Sequence, residues 1–161
     1  MKTLIIYYSL EGNTEMIANK MREHLQADIV RLMPKKDIPA GNIKKYIWGG
    51  KSALFGEKPE LEPYEAKIED YDIIVIGTPV WASTYAPAIG TFLSENKIQG
   101  KDIYLVACHG GGGSDKCFNK LEEKLQGNQI KGKIEFVDPT KGSNMEINER
   151  IKEFCKNILN P

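Results

Sequence analysis

Very little in this sequence is equipped for metal or disulfide chemistry. Its 161 residues include three cysteines, Cys108, Cys117 and Cys155, and two histidines, His24 and His109. The cysteine count is odd and no C-x-x-C occurs, which argues against a disulfide framework or a zinc knuckle. Two isolated histidines do not compose a metal site. Cys117 and Cys155 fall on apolar helix faces, where a small buried hydrophobe is expected. An excess of one charge is also missing, because 22 basic side chains balance 22 acidic ones. Lys44, Lys45, Lys51 and Lys58 are interrupted by apolar residues and form no continuous block, so nucleic acid is not an expected partner. No apolar run reaches the ~18–20 residues that span a bilayer. Met1-Lys2 leads straight into a short strand instead of a signal peptide's apolar core. The expectation is a cytoplasmic protein with no membrane span. Its length suits one domain over residues 1–161, since domains run to ~100–200 residues.

What the chain does contain is an alternation of two periodicities. Short apolar runs predict strands at Thr3–Tyr8, Ile29–Leu32, Ile73–Gly77, Ile103–Ala107 and Ile134–Val137. The first, third and fourth are continuously apolar, as strands of a parallel sheet covered on both faces are. Between and after them, apolar residues recur at three-four spacing. Ile17, Met21 and Leu25 mark one helix, and Ile89, Phe92 and Leu93 a second, opened by Pro87. Cys117, Leu121 and Leu125 mark a third, and Ile147, Ile151, Phe154, Cys155, Ile158 and Leu159 the last. The order implies an α/β sandwich. Residues 34–71 break the rhythm with four prolines and the aromatic cluster Tyr46, Trp48 and Phe55. This stretch reads as a long excursion with a short helix around Ile43–Trp48, and long loops inside compact domains are more often functional than incidental.

Three segments would meet beyond the carboxyl ends of such a sheet, where ligands of open α/β folds bind. Ser9-Leu10-Glu11-Gly12-Asn13-Thr14 joins the first strand to the first helix. A helix start has unpaired N–H groups and the positive end of the helix dipole, which together suit a phosphate. Ser9, Asn13 and Thr14 add neutral donors, and the turn has no Lys or Arg. The second segment, Thr78-Pro79-Val80-Trp81-Ala82-Ser83-Thr84-Tyr85, reads as a loop carrying a tryptophan. The third, Cys108-His109-Gly110-Gly111-Gly112-Gly113-Ser114-Asp115, offers bare backbone for close approach to a ligand. Its His109 reads as a solvent-exposed loop residue. Phosphate donors, a stacking surface and backbone hydrogen bonds together describe a flat heteroaromatic ring on a phosphate tail.

With these three motifs in this order, the whole chain resembles the flavodoxin family, in the form lacking the long insertion in the last strand. The resemblance implies a three-layer sandwich with a five-stranded parallel sheet in the order 2-1-3-4-5 and helices on both faces. It implies noncovalent FMN as cofactor and low-potential electron transfer to redox partner proteins. By position, Ser9, Glu11, Gly12, Asn13 and Thr14 would surround the phosphate. Thr78, Pro79, Val80, Trp81 and Ala82 would lie along the isoalloxazine, and Cys108, Gly110, Gly111 and Gly112 at its pyrimidine edge. No catalytic or metal-binding residue is expected.

The chain departs from the family pattern at three points. Glu11 stands where Thr or Ser is usual, and its carboxylate has to turn to solvent. Ala82 follows the tryptophan where many carriers have Gly, and a Cβ at positive φ costs about 1–2 kcal/mol. The third segment has glycines where a tyrosine commonly covers the flavin, leaving Trp48, Phe55 or Tyr85 as candidate covers. These departures keep a second function open, an FMN-dependent NAD(P)H reductase acting on a quinone or similar small acceptor. Two other phosphate chemistries are excluded. Gly49-Gly50-Lys51-Ser52 lacks the upstream glycine of a P-loop, with Lys45 in its place and no strand before it. Ser9 and Thr78 stand where a phosphorylated receiver domain needs acidic residues.

Overall fold

Residue alternation along three central strands sorts the core into two halves. In the computed structural model, which describes residues 1–39 and 57–160, β1 spans Thr3–Tyr7, β3 Ile73–Trp81 and β5 Asp102–His109. Successive side chains of a strand point to opposite faces. Leu4, Ile6, Ile74, Ile76, Ile103 and Leu105 therefore enter one cluster, with Ile89, Phe92 and Leu121. Ile5, Tyr7, Ile73, Val75, Tyr104 and Val106 enter the other, with Ile17, Met21, Ile151 and Cys155. The helices behind these contacts are α1 (Asn13–Leu25), α2 (Pro87–Glu95), α3 (Asp115–Lys124) and α4 (Asn144–Leu159). Layers of helix on both faces are what the continuously apolar strands require.

Two half-exposed strands close the edges, β2 (Asp28–Arg31) and β6 (Gln129–Val137). The parallel strands run β2-β1-β3-β5-β6, which is the expected 2-1-3-4-5 order once the short β4 (Thr84–Tyr85) is set aside. β4 pairs antiparallel with the end of β3 through Val80–Tyr85 and Trp81–Thr84. The Thr78–Tyr85 segment is thus a hairpin and not a loop. Ala82 and Ser83 form its two-residue turn, both at positive φ (45° and 62°), the geometry that matches the twist of tight hairpins.

β6 starts five residues before the apolar run Ile134–Val137. Its first half carries Lys131, Gly132 and Lys133, whose pattern is hidden by edge exposure. Gly132 is required by packing, since a Cβ there would lie 2.9 Å from the ring of Tyr104. That ring instead meets Phe154 edge to face, with centroids 5.7 Å apart. Among the described residues no helix is long and apolar enough to cross a membrane. The expected helix at Ile43–Trp48, the candidate covers Trp48 and Phe55, and Gly49–Ser52 lie outside the described residues.

Candidate functional site

The carboxyl ends of β1, β3, β5 and β6 converge on a cleft of about 290 Å³. Its walls are Ser9, Leu10, Glu11, Asn13 and Thr14 after β1, Pro79, Val80 and Trp81 at the end of β3, and Cys108, His109 and Gly110 from β5 onward. A fourth wall, Asp138 and Lys141, comes from the turn after β6. The cleft lies where β1 has β2 on one side and β3 on the other, the switch point at which such sheets bind ligands.

The first wall is built as an anion seat. Gly12 is the N-cap of α1 at φ 92°, and no side chain caps the helix. Instead Ser9 Oγ accepts the Gly12 N–H at 3.2 Å, leaving its own hydroxyl proton to donate. Asn13 Oδ1 accepts the backbone N–H and hydroxyl of Thr140 at 3.1 and 2.8 Å. A backbone N–H can only donate, so the amide oxygen faces Thr140 and the NH2 donors are turned away from it. The Thr14 hydroxyl is buried next to the Cys108 thiol and meets no partner at hydrogen-bond distance among the described residues, a condition that costs free energy until water or a ligand supplies one. Arg31 braces the turn from β2, donating to Ser9 O at 3.2 Å and pairing with Glu15 at 2.6 Å. Glu11 is exposed at the rim. This donor set fits a phosphate held by neutral groups.

The second wall is more buried than a loop would be. Trp81 is 4% exposed and meets Tyr8 edge to face at 5.5 Å, 89° between planes. Tyr8 donates to Asp37 at 2.7 Å, and burial with that carboxylate holds its phenol well above the usual range. Thr78 does not line the cleft. Its hydroxyl accepts the Ala86 N–H at 3.0 Å and donates to Pro79 O at 2.9 Å, tying the hairpin to the start of α2. Ala82 is exposed at the hairpin tip, outside the lining.

The third wall departs most from the sequence reading. Cys108 lines the cleft but is 3% exposed, and burial pushes its thiol up to about 12, so it stands there as a neutral group. His109 is buried, not solvent-exposed. Its Nδ1 accepts the N–H groups of Gly111 at 2.9 Å and Gly113 at 3.3 Å. Gly110 lines the cleft, whereas Gly111 and Gly112 lie outside the lining and Gly12 contributes its backbone turn.

The flavodoxin family model matches residues 2–151. The chain belongs to the flavodoxin family. FMN is the cofactor of that family, and the neutral donors of the first wall fit its phosphate. Three solved structures share the fold. A Bacteroides eggerthii protein provisionally classed as a flavoprotein is 20% identical over 96% of each chain, with a TM-score of 0.79. A Lactobacillus acidophilus flavoprotein in complex with FMN is 23% identical over 83% of this chain and 92% of its own, with a TM-score of 0.73. The oxidised flavodoxin 2 of Bacillus cereus is 18% identical over 99% of each chain, with a TM-score of 0.62. In this flavodoxin-family chain, Leu10, His109, Asp138 and Lys141 are the lining residues that sequence reasoning did not assign. The turn after the fifth parallel strand, β6, was the available signal for Asp138 and Lys141.

Proposed function

We propose that the chain holds FMN noncovalently in this cleft and works as a low-potential electron carrier between redox partner proteins in the cytoplasm. The observation that carries the reading is the buried Thr14 hydroxyl without a partner, set among neutral donors at the start of α1. In this reading Ser9, Asn13 and Thr14 donate to the phosphate together with the first N–H groups of the helix, to which Glu11 and Gly12 lead. Pro79, Val80 and Trp81 bound the ring, with Thr78 and Ala82 shaping the hairpin that presents them. Cys108 and Gly110 meet its pyrimidine edge, and Gly111 and Gly112 shape the turn beside it. When bound, the flavin supplies the electron chemistry, while the chain positions it and sets its electrostatics. Among the described lining residues, Glu11 and Asp138 stand against one cation, Lys141, which lies 3.8 Å from Asp138. The remaining negative charge opposes added electrons, which favours a midpoint potential below that of free FMN. Beside the cleft, Ala82, Ser83 and Gly110–Gly113 are small and exposed, which suits electron exchange through an accessible ring edge.

One observation favours a second reading, an FMN-dependent NAD(P)H reductase. Among the described lining residues Trp81 is the one Phe, Tyr or Trp side chain, and it already packs against Tyr8 in a T-shaped contact. A ring face left uncovered admits a second substrate. Anaerobic photoreduction of the FMN-loaded protein, followed by absorbance and paired with an NADH and NADPH oxidation assay, separates the two. Reduction in two one-electron stages without nicotinamide turnover is the carrier's result. Single-stage reduction with turnover on a quinone is the reductase's result, and failure to bind FMN removes both.

A further inference from the structure

The run His109-Gly110-Gly111-Gly112-Gly113 folds back on its own first side chain. His109 ends β5, its ring is 6% exposed, and Nδ1 lies 2.9 Å from the Gly111 nitrogen and 3.3 Å from that of Gly113. Both partners are N–H donors, so Nδ1 carries a lone pair and the ring proton sits on Nε2. Nε2 is 3.4 Å from Glu135 Oε2 without a hydrogen bond between them. That carboxylate oxygen accepts the Ser114 hydroxyl instead. The His109 carbonyl accepts the Asp138 N–H at 2.9 Å, which links this corner to the turn after β6.

A run of four glycines has little shape of its own, because glycine loses the most conformational freedom on ordering. Gly111 and Gly113 sit at φ 119° and 81°, and a Cβ on Gly111, Gly112 or Gly113 would meet nothing within 4 Å. Side-chain packing therefore does not hold the turn. The two hydrogen bonds to the imidazole are the contacts observed to order it.

We infer that His109 is a positioning residue for the cleft, whose neutral imidazole folds the glycine turn that borders the flavin ring and whose protonation releases that turn and weakens flavin binding. The inference rests on the FMN reading of the cleft. A protonated ring carries hydrogen on both nitrogens, so Nδ1–H would face two N–H donors and the turn must let go. The charged groups around the ring act in opposite senses. Glu135 from β6 draws the cation at Nε2, and Asp138 from the following turn and Glu11 across the cleft add to that pull. Lys141 opposes it. The corner has two arrangements, a neutral ring bonded to the glycines and a cationic ring drawn to Glu135.

Two measurements on the full chain test this. In the first, without ligand, ¹⁵N NMR follows the His109 ring nitrogens and the Gly111 and Gly113 amides across about pH 5 to 8, the range in which histidine changes charge. The expected result is a proton on Nε2 at high pH and joint loss of the two downfield amide positions as the ring protonates. In His109→Asn, whose Oδ1 can accept the same N–H groups but does not titrate, both amides should hold their positions throughout. A ring that titrates while the glycine amides stay still overturns the inference. The second measures riboflavin affinity by fluorescence quenching, since riboflavin has no phosphate to titrate. Wild type should bind about tenfold more weakly at the acid end, the loss expected for one to two modest hydrogen bonds. His109→Asn should be insensitive to pH, and His109→Ala weak throughout. Equal wild-type affinity at both ends overturns the inference alone, while failure of both riboflavin and FMN to bind at any pH overturns the cleft reading with it.

Discussion

Asn13 and Thr140 lie 127 positions apart and are joined by two hydrogen bonds, both accepted by the Asn13 side-chain oxygen, at 3.1 Å from the backbone N–H and 2.8 Å from the hydroxyl. The pair fastens the first turn of α1 to the turn after β6 and fixes which end of the amide is left for a ligand. Asn13→Asp keeps an acceptor for Thr140 but replaces the NH2 donors with negative charge. Its urea midpoint should stay near wild type, while FMN affinity falls about 10–100-fold, the worth of a hydrogen bond to a charged group at roughly 1.5–3 kcal/mol. Asn13→Ala should lose both. Wild-type affinity in the aspartate variant would remove Asn13 from the phosphate site.

Gly77 is where β3 passes under α1. A Cβ there would lie 3.1 Å from Thr14 Cγ2 and 3.2 Å from Tyr7 Cβ, both in the packed interior. Gly77→Ala should destabilise by about 1–3 kcal/mol, the usual cost of overpacking. It should also shift Thr14 at the cleft and weaken FMN. Equilibrium unfolding and a binding titration on one preparation check both effects. Loss of stability with unchanged affinity would separate the Thr14 hydroxyl from the ligand.

The hairpin turn stores strain that a single substitution can release. Ala82 and Ser83 both sit at positive φ, where a residue with a Cβ is disfavoured by about 1–2 kcal/mol and glycine is not. Glycine's greater unfolded-state entropy returns about 0.4–1 kcal/mol of that gain. Ala82→Gly should therefore raise stability by roughly 0.5–1 kcal/mol, which is about 1–4 °C in Tm for a chain of this size. A lower Tm would mean that the turn does not keep this backbone in solution.

Glu135 provides a pH prediction with a definite sign. The Ser114 hydroxyl, and then His109 beside it, hold its carboxyl below the usual 4.5 despite some opposing desolvation. A folded value lower than the unfolded one contributes stability that is present above about pH 4.5 and is lost as pH falls through the folded value. Glu135 is 44% exposed in its side chain, so solvent screening keeps the contribution small. Ser114→Ala should flatten the acid limb of a urea midpoint profile between about pH 2 and 5, with a smaller difference from wild type at the acid end than at neutrality. An unchanged limb would show that the hydroxyl does not govern this carboxyl.

Some of this architecture could be read from local pattern alone. β1, β3 and β5 are buried on both faces, so their apolar runs are a property of consecutive residues. The same holds for the helix faces of Ile17, Met21 and Leu25 and of Ile147, Ile151 and Ile158. The layered α/β arrangement and the Ser9–Thr14 turn followed from these, whereas the strand order was implied by the resemblance to the flavodoxin family. Other features depend on partners distant in the chain. The end of β3 looked like a loop because Pro79 interrupts it, and pairing with Thr84 and Tyr85 makes it strand. The first half of β6 has no apolar run, and its place comes from its register against β5 and the space that Gly132 leaves for Tyr104. His109 looked exposed beside four glycines, yet those glycines wrap around it. Asp138 and Lys141 reach the cleft because β6 ends beside β5. Periodicity encodes burial one element at a time. Which side chain closes a cleft, or spends its lone pair on a neighbouring turn, is decided when separate strand ends are brought to one edge.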